Sequence, residues 1–498
     1  MFAAVAPHLA PLQVVVPLIA APVSLFFRSP RAAWVFALVV TWTSFIVACL
    51  LLGRVLQEGV VSYALGGWLP PYGIEYRIDA ANGLLLVIVS GIGASVMTFA
   101  RQSLLAEIEE RNQANFFAVF LLAFTGLLGV TITGDAFNVF VFLEIASLSS
   151  YVLVAMGGPR DKRALSAAMS YLIAGTIGAT FFVIGIGLLY MATGTLNMAD
   201  LAARIAELGD SRLVRAAFAF IVVGIGLKLA LFPLHLWLPN AYTYAPSVVT
   251  IFLAATSTKV AVYVLMRFIF TVFGTRFEFQ GLTLTYLFLP LALVGMFVPS
   301  IVAVFQTDVK RLLAYSSIAQ IGYMLLGISF ATVPGLTAAT IHIFNHALMK
   351  GALFMSVAAV ALRMGTTDVA AFAGIGRRMP WTMGAFAAAG LSLIGVPLTV
   401  GFVSKWLLIE AALSAGEWWA AVLVVSSSLI AVAYVWRILE LAYLETAPEG
   451  APAVEEAPLA MLIPMWTLVG LNIYFGINAQ LTTRVATRAA QSLLGGAP

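Results

Sequence analysis

The amino-acid sequence predicts an all-α integral membrane protein. Of its 498 residues, 62% are apolar and only 10% are charged, against about 25% charged residues in soluble domains. Apolar runs of about 20 residues, long enough to cross a hydrocarbon core of about 30 Å, recur along the whole chain with short polar breaks. Backbone groups in lipid must be satisfied within each span, and barrel strands would be shorter and alternating. The spans are therefore expected to be helices.

Fourteen spans are predicted, and no segment is left over for a soluble catalytic domain. They cover residues 8–28, 32–53, 79–100, 114–134, 136–156, 165–191, 214–240, 247–270, 283–305, 311–330, 334–362, 381–410, 418–444 and 459–479. The first run has neither a basic segment ahead of it nor a small-residue cleavage site, so we expect a retained span and not a signal peptide.

The distribution of basic loop residues predicts how the chain is oriented. With both termini on the outer side, thirteen Lys and Arg residues fall in cytoplasmic loops and nine in outer loops. Cytoplasmic loops carry the excess of basic residues in multispanning proteins. The sequence therefore predicts a multi-pass protein of the bacterial cell membrane with both termini outside.

The remaining four basic residues are lysines inside predicted spans: Lys228, Lys259, Lys350 and Lys405. Glu144 also lies in the middle of an apolar span. Ionisable side chains in a membrane interior are costly and usually functional. Burial disfavours the charged forms of a lysine and of a carboxylate, and pairing restores both. A Glu144–Lys228 pair that forms and parts would therefore act as a proton switch. A structural ion pair between packed helices is the alternative.

The other buried groups suggest a proton relay. Neighbouring hydroxyls next to Lys259 can hold water beside that lysine. His342, His346 and Lys350 are spaced i, i+4, i+8, so they form one polar stripe on a helix face. Histidine titrates near neutrality, as a relay requires. Two histidines at this spacing can also bind zinc, but the adjacent lysine and the lack of nearby thiols or carboxylates disfavour a metal. Packed, hydrogen-bonded histidines are a further alternative.

A weak internal repeat predicts two related units. Asp135 matches Asp308 and Tyr151 matches Tyr323, at an offset near 172 residues. Each unit holds five spans, an odd number, so the second must be inverted relative to the first. Asp135 and Asp308 lie at span ends, where they act either as helix caps or as ion entrances. The predicted division is N-terminal spans in 1–113, a first five-helix repeat in 114–270, an inverted second repeat in 283–444, and a C-terminal loop and span in 445–498.

Each predicted unit contains one proline that is expected to interrupt a helix: Pro233 in the first and Pro397 in the second. Proline removes a backbone donor and clashes with the preceding turn. Interrupted helices are tolerated in membranes where the freed backbone faces protein or a wet cavity. Lys228 precedes the first break and Lys405 follows the second, so Lys405 is the counterpart of Lys228 by context. Plain kinks in packed helices are the alternative. His235 either extends the relay or satisfies the opened backbone.

Several function classes are excluded or disfavoured. Cys49 is the only cysteine, so this chain can form neither an internal disulfide nor a cysteine-ligated iron–sulfur cluster, and its four histidines are too dispersed for haem. No nucleotide-binding fingerprint, Ser-His-Asp arrangement or metalloprotease motif occurs in the loops. We therefore expect no cofactor in this chain. The net charge of +4 reflects loop arginines and gives no indication of nucleic-acid binding.

Three motifs resemble those of the antiporter-like membrane subunit family shared by Mrp-type multisubunit cation/proton antiporters, respiratory complex I and membrane-bound hydrogenases. They are residues 133–144 (TGDAFNVFVFLE), 228–241 (KLALFPLHLWLPNA) and 308–317 (DVKRLLAYSS). The resemblance covers nearly the whole chain. It implies Glu144 and Lys228 as the central pair, Lys259 and the histidine stripe as the connecting axis, and Lys405 as the outlet lysine.

Within that family, a chain that ends soon after span 14 looks most like the D-type Mrp subunit. The resemblance then implies a proton-translocating subunit, and not an enzyme by itself, whose hetero-oligomeric membrane complex exchanges protons for Na⁺ or another monovalent cation. A proton-pumping subunit of a complex I-like NADH:quinone oxidoreductase or of a membrane-bound hydrogenase is the alternative, because the motifs are shared. An inactive scaffold within such a complex is a third possibility.

Overall fold

The computed structural model describes residues 6–209, 211–275, 277–447 and 454–495. Its α-helices, in chain order, are α1 Leu9–Ser24, α2 Pro30–Glu58, α3 Ala80–Glu107, α4 Glu110–Ile132, α5 Ala136–Ala155, α6 Arg163–Thr193, α7 Met198–Leu208, α8 Arg212–Leu229, α9 Trp237–Tyr244, α10 Ser247–Ala255, α11 Ser257–Met266, α12 Glu278–Thr283, α13 Leu289–Val304, α14 Val309–Ser329, α15 Val333–Met364, α16 Ile375–Arg378, α17 Pro380–Ile394, α18 Val400–Ser414, α19 Trp418–Tyr443, α20 Leu459–Ile477 and α21 Gln480–Leu493. The two strands described, β1 Val61–Ala64 and β2 Glu75–Ile78, pair antiparallel.

The predicted all-α membrane class is confirmed. Within the described ranges, 11 helical segments are long and apolar enough to cross a membrane. They correspond to all but three of the predicted spans. The first of these three, 8–28, is the shorter apolar helix α1, and the other two, 214–240 and 381–410, are each divided into two helices. The chain is thus a multi-pass integral membrane protein.

The interruptions predicted at Pro233 and Pro397 are both present. Helix α8 ends at Leu229 and the next helix begins at Trp237, whereas α17 ends at Ile394 and α18 begins at Val400. Each non-helical segment between these helices starts with a residue of positive φ, +59° at Ala230 and +99° at Gly395. The chain therefore leaves the helical conformation before each proline, and the backbone of the broken turns is free to contact side chains.

A third break, at Thr256 between α10 and α11, was not predicted. The φ and ψ of Thr256 are −126° and −59°, and its hydroxyl donates to the carbonyl of Phe252 at 2.6 Å. Such a bond back to the preceding turn competes with the helical backbone pattern and bends helices. Threonine is common inside apolar spans, so the sequence alone gives only a weak signal for this break.

Six hydrogen bonds between loops and helix ends form two sets, which agree with the fourteen predicted crossings. One set joins Glu75 with Asn197, Arg488 with Leu56, and Ser492 with Asp79. The other joins Ser247 with Glu107, Arg363 with Glu456, and Arg437 with Gln306. Asp135 forms a β-bridge with Asn197 of the first set, and Asp308 accepts from Thr367, four residues after Arg363 of the second set. This placement supports the inverted repeat, which stays a prediction, as do the domain boundaries.

Two structural elements, the β-hairpin and helix α21, were not predicted from the apolar runs of the sequence. The β-hairpin holds the buried Glu75, whose carboxylate accepts hydrogen bonds from Ser62 at 2.5 Å and Asn197 at 2.9 Å. Helix α21 is amphipathic and buries one face only, including Val485 and Leu493. Short strands and one-sided helices have too few apolar residues to register as spans.

A buried ion pair joins the start of α3 to the helical turns that follow α11. The two guanidinium nitrogens of Arg267 lie 2.7 and 2.9 Å from the two carboxylate oxygens of Asp79. Asp79 also caps α3 by accepting from the backbone of Ala81 and Asn82, and it accepts from Ser492 of α21 at 3.2 Å. Burial raises the pKa of Asp79, but the Arg267 charge together with the hydrogen bonds from Arg267, Asn82 and Ser492 holds the pKa below its usual range. One carboxylate therefore anchors three separate parts of the chain.

We predict that Asp79→Ala lowers the free energy of unfolding by about 3–5 kcal/mol at pH 7, because it leaves a buried guanidinium without its partner. The carboxylate has a lowered pKa in the folded chain, so its contribution is present above the unfolded pKa of about 3.9 and is lost as pH falls through the folded pKa. Thermal unfolding of the purified complex at pH 7 checks the loss.

The matched control is Glu58→Ala, which removes the exposed pair with Arg54 on α2. An exposed i,i+4 pair contributes about 0.3–0.5 kcal/mol. Equal unfolding temperatures for the two variants would contradict the role given to Asp79.

Candidate functional site

Glu144 and Lys228 form a direct ion pair between α5 and α8. Lys228 Nζ lies 2.9 Å from Glu144 Oε1 and donates to Ser147 Oγ at 2.7 Å. Ser147 is three residues after Glu144, so both groups face the lysine from one side of α5. The Lys228 side chain is 7% exposed and that of Glu144 is 23% exposed. The lysine side chain is thus enclosed, whereas the glutamate side chain is partly exposed at the surface of the chain.

Close packing of small residues positions Lys228. A Cβ on Gly224 would lie 2.6 Å from the carbonyl oxygen of Gly178, and a Cβ on Gly178 would lie 2.9 Å from that of Gly224. Neither contact is compatible with a side chain, so the two glycines allow α6 and α8 to approach closely. Lys228 follows Gly224 by one helical turn and is directed toward α5 by this contact.

A small cavity lies beside Lys228. Its volume is about 20 Å³, and its polar lining comes from Lys228, Ser147, Ser150, Tyr171 and Ser257. A polar cavity of this size can hold about one water molecule. Ser257 begins α11, the helix that carries Lys259. The cavity therefore extends from Lys228 to the start of the helix that carries Lys259.

Lys259 is fully buried beside the break at Thr256. Its ammonium group donates to the carbonyl of Ala254, in the last turn of α10, and lies 3.3 Å from Thr258 Oγ1. The C-terminal carbonyls of a helix carry partial negative charge, which favours a nearby cation. The unpredicted break thus supplies the hydrogen-bond acceptor of this lysine.

The histidine stripe lies on α15, as predicted. His342 Nδ1 lies 2.8 Å from Ser404 Oγ, and its Nε2 lies 3.0 Å from Gln320 Oε1. The His346 ring is parallel to that of His342, with centroids 6.0 Å apart. In the described ranges neither nitrogen of the buried His346 has a hydrogen-bond partner. His346 is therefore the position on the stripe that is open to a mobile proton donor or acceptor.

Lys350 and Lys405 have backbone and hydroxyl partners but no carboxylate partner among the described residues. Lys350 Nζ donates to the carbonyl of Leu313 at 2.8 Å and to the hydroxyl of Ser316. Ser316 occupies the position that the predicted repeat relates to Glu144. Lys405 Nζ donates to the carbonyls of Leu393 and Ile394, at 2.9 and 2.8 Å, where α17 ends.

Gly395 makes room for Lys405 at this break. A Cβ at Gly395 would lie 3.0 Å from Lys405 Cδ, and its φ of +99° is one that residues with side chains rarely adopt. The ammonium group also lies 5.0 Å from the centroid of the Tyr323 ring, which in turn is 5.9 Å from the His342 ring. The outlet lysine predicted from the resemblance is therefore adjacent to the histidine stripe.

The seven predicted residues do not form one continuous chain of direct hydrogen bonds. Only Glu144 and Lys228 touch each other directly through hydrogen bonds in the described chain, and the other steps run through intervening groups. The intervening residues that the sequence reasoning missed are Ser147, Ser150, Tyr171, Ser316, Gln320, Tyr323 and Ser404. Their signal in the sequence is weak, because serine and tyrosine also pack inside spans without any role in transport.

Two further ionisable groups are buried near the site. Lys310, which is expected in a loop, is buried and donates to the carbonyl of Ala245 at 3.1 Å. His235 lies in the break after α8, where its ring stacks on that of Phe232 with centroids 5.1 Å apart. Within the described residues, no group of three or more His, Cys, Asp or Glu is arranged to hold a metal ion.

A polar pocket of about 310 Å³ opens among the loops of the second set. Its ionisable lining includes Glu107, Arg160, Asp308, Lys310 and Asp368. Asp308 caps α14 by accepting from the backbone of Arg311, and Asp135 caps α5 in the same way. Burial raises the pKa of Asp308, although hydrogen bonds from Thr367 and Arg311 lower it in part. The cap interpretation is thus observed for both aspartates, and the ion-entrance interpretation stays open.

We predict that Asp308→Asn preserves the fold, because the asparagine oxygen can accept from the backbone of Arg311 while its amide group donates to the hydroxyl of Thr367. Asp308→Ala should cost about 1 kcal/mol for the lost cap. The folded pKa is raised, so ionisation of Asp308 lowers stability as pH rises. The Asn variant should therefore unfold at a slightly higher temperature than the unmodified chain at pH 7, and at an equal temperature below about pH 4. Thermal unfolding at both pH values checks this.

Proton transport by the Asn variant separates the two interpretations of Asp308. Full transport is expected for a cap. Loss of transport with an unchanged unfolding temperature would contradict a cap-only role.

The helical membrane fold, with its buried lysines at interrupted helices, defines a proton-conducting, antiporter-like membrane subunit. Residues 133–431 match the family described as NADH:quinone oxidoreductase/Mrp antiporter, TM, and the chain belongs to this family. It is 45% identical over 437 residues to NADH-quinone oxidoreductase subunit N of Desulforudis audaxviator, with 85% of this chain and 86% of that protein covered.

Similarity also extends to antiporter subunits. The chain is 31% identical over 440 residues to the D-type subunit of the Na(+)/H(+) antiporter of Alkalihalophilus pseudofirmus, covering 88% of this chain and 87% of the relative. The fold matches a chain in the structure of the Mrp complex from Dietzia sp. with a TM-score of 0.90 and 27% identity, covering 98% and 97% of the two chains. The protein is thus a subunit of Mrp or complex I type, with other subunits of a multisubunit membrane complex as partners.

Proposed function

We propose that this chain translocates protons within a multisubunit antiporter that exchanges them for a monovalent cation, Na⁺ in the first instance. The observation that supports this most directly is the Glu144–Lys228 ion pair, enclosed in a membrane-spanning fold and held by Ser147. A buried pair of this kind changes its protonation when the partners separate. Moving charge near Lys228 therefore changes whether that lysine keeps its proton.

The proposed path runs from Glu144 to Lys405. The pair comes first, then the small cavity beside Ser257, then Lys259 at the Thr256 break. The stripe of His342, His346 and Lys350 follows, and Lys405 lies beside His342 through Ser404 and Tyr323. Each station is a titratable group with a hydroxyl, a ring or a backbone carbonyl next to it, so a proton can be handed on over short distances.

We predict that Lys228→Ala and Glu144→Ala each reduce proton transport by about 10²-fold or more, since a positioned acid–base group contributes about that factor to proton transfer. The complex should still assemble. Cation-dependent collapse of a pH gradient in inverted membrane vesicles measures transport, and copurification of the other subunits measures assembly.

Lys162→Ala serves as the matched control, because Lys162 is an exposed loop lysine whose side chain makes no cap hydrogen bond. It should transport protons as the unmodified complex does. Transport at the control level in either the Lys228 or the Glu144 variant would refute the proposed pair.

A second candidate is a proton-pumping subunit powered by redox reactions in partner subunits. The specific observation in its favour is the 45% identity to a relative named NADH-quinone oxidoreductase subunit N, against 31% to the D-type antiporter subunit. Both candidates use the same path within this chain, so the site does not distinguish them. They differ in the partners and in the source of energy.

We predict that the purified complex, reconstituted in vesicles with a preformed pH gradient, releases that gradient on addition of Na⁺, with K⁺ and Li⁺ tested in parallel. Identification of the copurified subunits by mass spectrometry provides the second readout. Small hydrophobic antiporter subunits are expected. If quinone-reducing or hydrogenase-type subunits copurify and no cation releases the pH gradient, the antiporter function is refuted and the redox-driven proton pump is supported.

We further propose a bacterial cell membrane location with both termini on the outer side. The supporting observations are the excess of basic residues in the predicted cytoplasmic loops and the two sets of loop contacts, which agree with fourteen alternating crossings.

A further inference from the structure

Two arginines line a cavity at the loop end of α2 and α3, away from the proton path. The cavity has a volume of about 180 Å³, and its polar wall includes Ser29, Arg31, Arg101, Glu110 and Gln113. At about 30 Å³ for each water molecule, that volume corresponds to about six waters. It is therefore large enough for a phosphate group with part of its substituents.

Neither guanidinium has a carboxylate within ion-pair distance among the described residues, although nine other ion pairs are present there. Arg101 lies over the ring of Trp34, 5.5 Å from its centroid, and the Trp34 indole is fixed by a 2.9 Å hydrogen bond to the carbonyl of Met97. The acidic residue in the wall, Glu110, is exposed. The cavity thus presents two guanidinium groups that form no ion pair in the described chain, with one exposed carboxylate in the same wall.

The surroundings of the cavity are those of a lipid-facing surface. Its remaining walls are apolar and include Leu104, Leu105 and Phe117. Leu105 is 58% exposed, and Phe26, three residues before Ser29 in the chain, is 85% exposed. In a membrane-spanning chain, such side chains contact acyl chains, while arginines and tryptophans at span ends lie at the headgroup level. The cavity therefore lies where headgroup and acyl chain of a lipid meet.

We propose that this cavity binds the phosphate headgroup of an anionic phospholipid. Guanidinium groups bind phosphate oxygens in pairs, and basic pockets between spans on the cytoplasmic side attract anionic lipids. Ser29 lies at the start of α2, and its hydroxyl makes no cap hydrogen bond, so it is free to donate to the headgroup. The acyl chains would lie along Leu105 and the exposed face of α2. This site is independent of the proposed proton path.

The test uses the complete membrane complex in detergent and measures thermal stabilisation on titration with phosphatidylglycerol in mixed micelles. Phosphatidylcholine and inorganic phosphate are the comparison probes. The unmodified complex should be stabilised by phosphatidylglycerol, and by neither phosphatidylcholine nor inorganic phosphate. In Arg31→Gln/Arg101→Gln the apparent affinity for that lipid should fall about thirtyfold, since each arginine near a membrane surface contributes about fivefold.

The matched control is Arg54→Gln, at the opposite end of α2, where the arginine is paired with Glu58. It should keep the response of the unmodified complex. Arg31→Gln alone leaves the Arg101–Trp34 contact intact and should lose about fivefold, so it provides a readout if the double variant fails to fold.

The proposal is overturned if phosphatidylglycerol stabilises the Arg31 variant as well as the unmodified complex. Equal stabilisation by inorganic phosphate would show a site for free anions, and equal stabilisation by phosphatidylcholine would show acyl packing without headgroup recognition. A cross-link from this cavity to an acidic segment of another protein in the complex, with no lipid effect, would also overturn it.

Discussion

The supply of backbone carbonyls at interrupted helices is the constraint on which two of the buried lysines, Lys259 and Lys405, depend. Lys259 donates to the end of α10 and Lys405 to the end of α17. Lys228, two residues before the break that begins at Ala230, is held by the side chains of Glu144 and Ser147. A helix terminus exposes carbonyls that have no intrahelical partner and carry partial negative charge. These groups stabilise an ammonium in a region where neither water nor a full counter-charge is at hand. At Lys259 and Lys405, removal of the lysine would leave these carbonyls without their donor, and removal of the interruption would leave the ammonium group without its acceptors.

The carboxylate at Glu144 distinguishes the first lysine from the others. Lys228 has a full negative charge 2.9 Å away, whereas Lys350 has Ser316 and a carbonyl in its place. A carboxylate holds a proton on its lysine more firmly than neutral dipoles do. The four lysines thus differ in how strongly their surroundings favour the charged form. In the proposed proton path, separation of the first pair would change the electric field at the next lysine.

Features that depend on the type of a single residue were predicted from the sequence, whereas features that depend on contacts between distant residues were not. Pro233 and Pro397 predict helix breaks because the proline ring removes a backbone donor. Glu144 and Lys228 are easily recognised because charged residues are rare in apolar spans. The structure places that pair in contact, while the transport role of all seven residues stays a prediction. The break at Thr256 depends on one hydroxyl bond, and the His342–Ser404 contact joins residues far apart in the chain. Periodicity carries no information on such contacts. Amphipathic α21 was missed because a search for apolar runs cannot register it.

The position of α21 has a consequence for the order in which the molecule is completed. Ser492 reaches Asp79 across 413 residues of chain, and Arg488 reaches the carbonyl of Leu56 across 432. At synthesis rates of about 5–20 residues per second, the early spans wait about 20–80 s for these partners. Arg267 is synthesised much sooner after Asp79, because only 188 residues separate the two positions. A growing chain can therefore neutralise the buried Asp79 with Arg267 before the last helix is made, and that helix then packs on a bundle that has already formed.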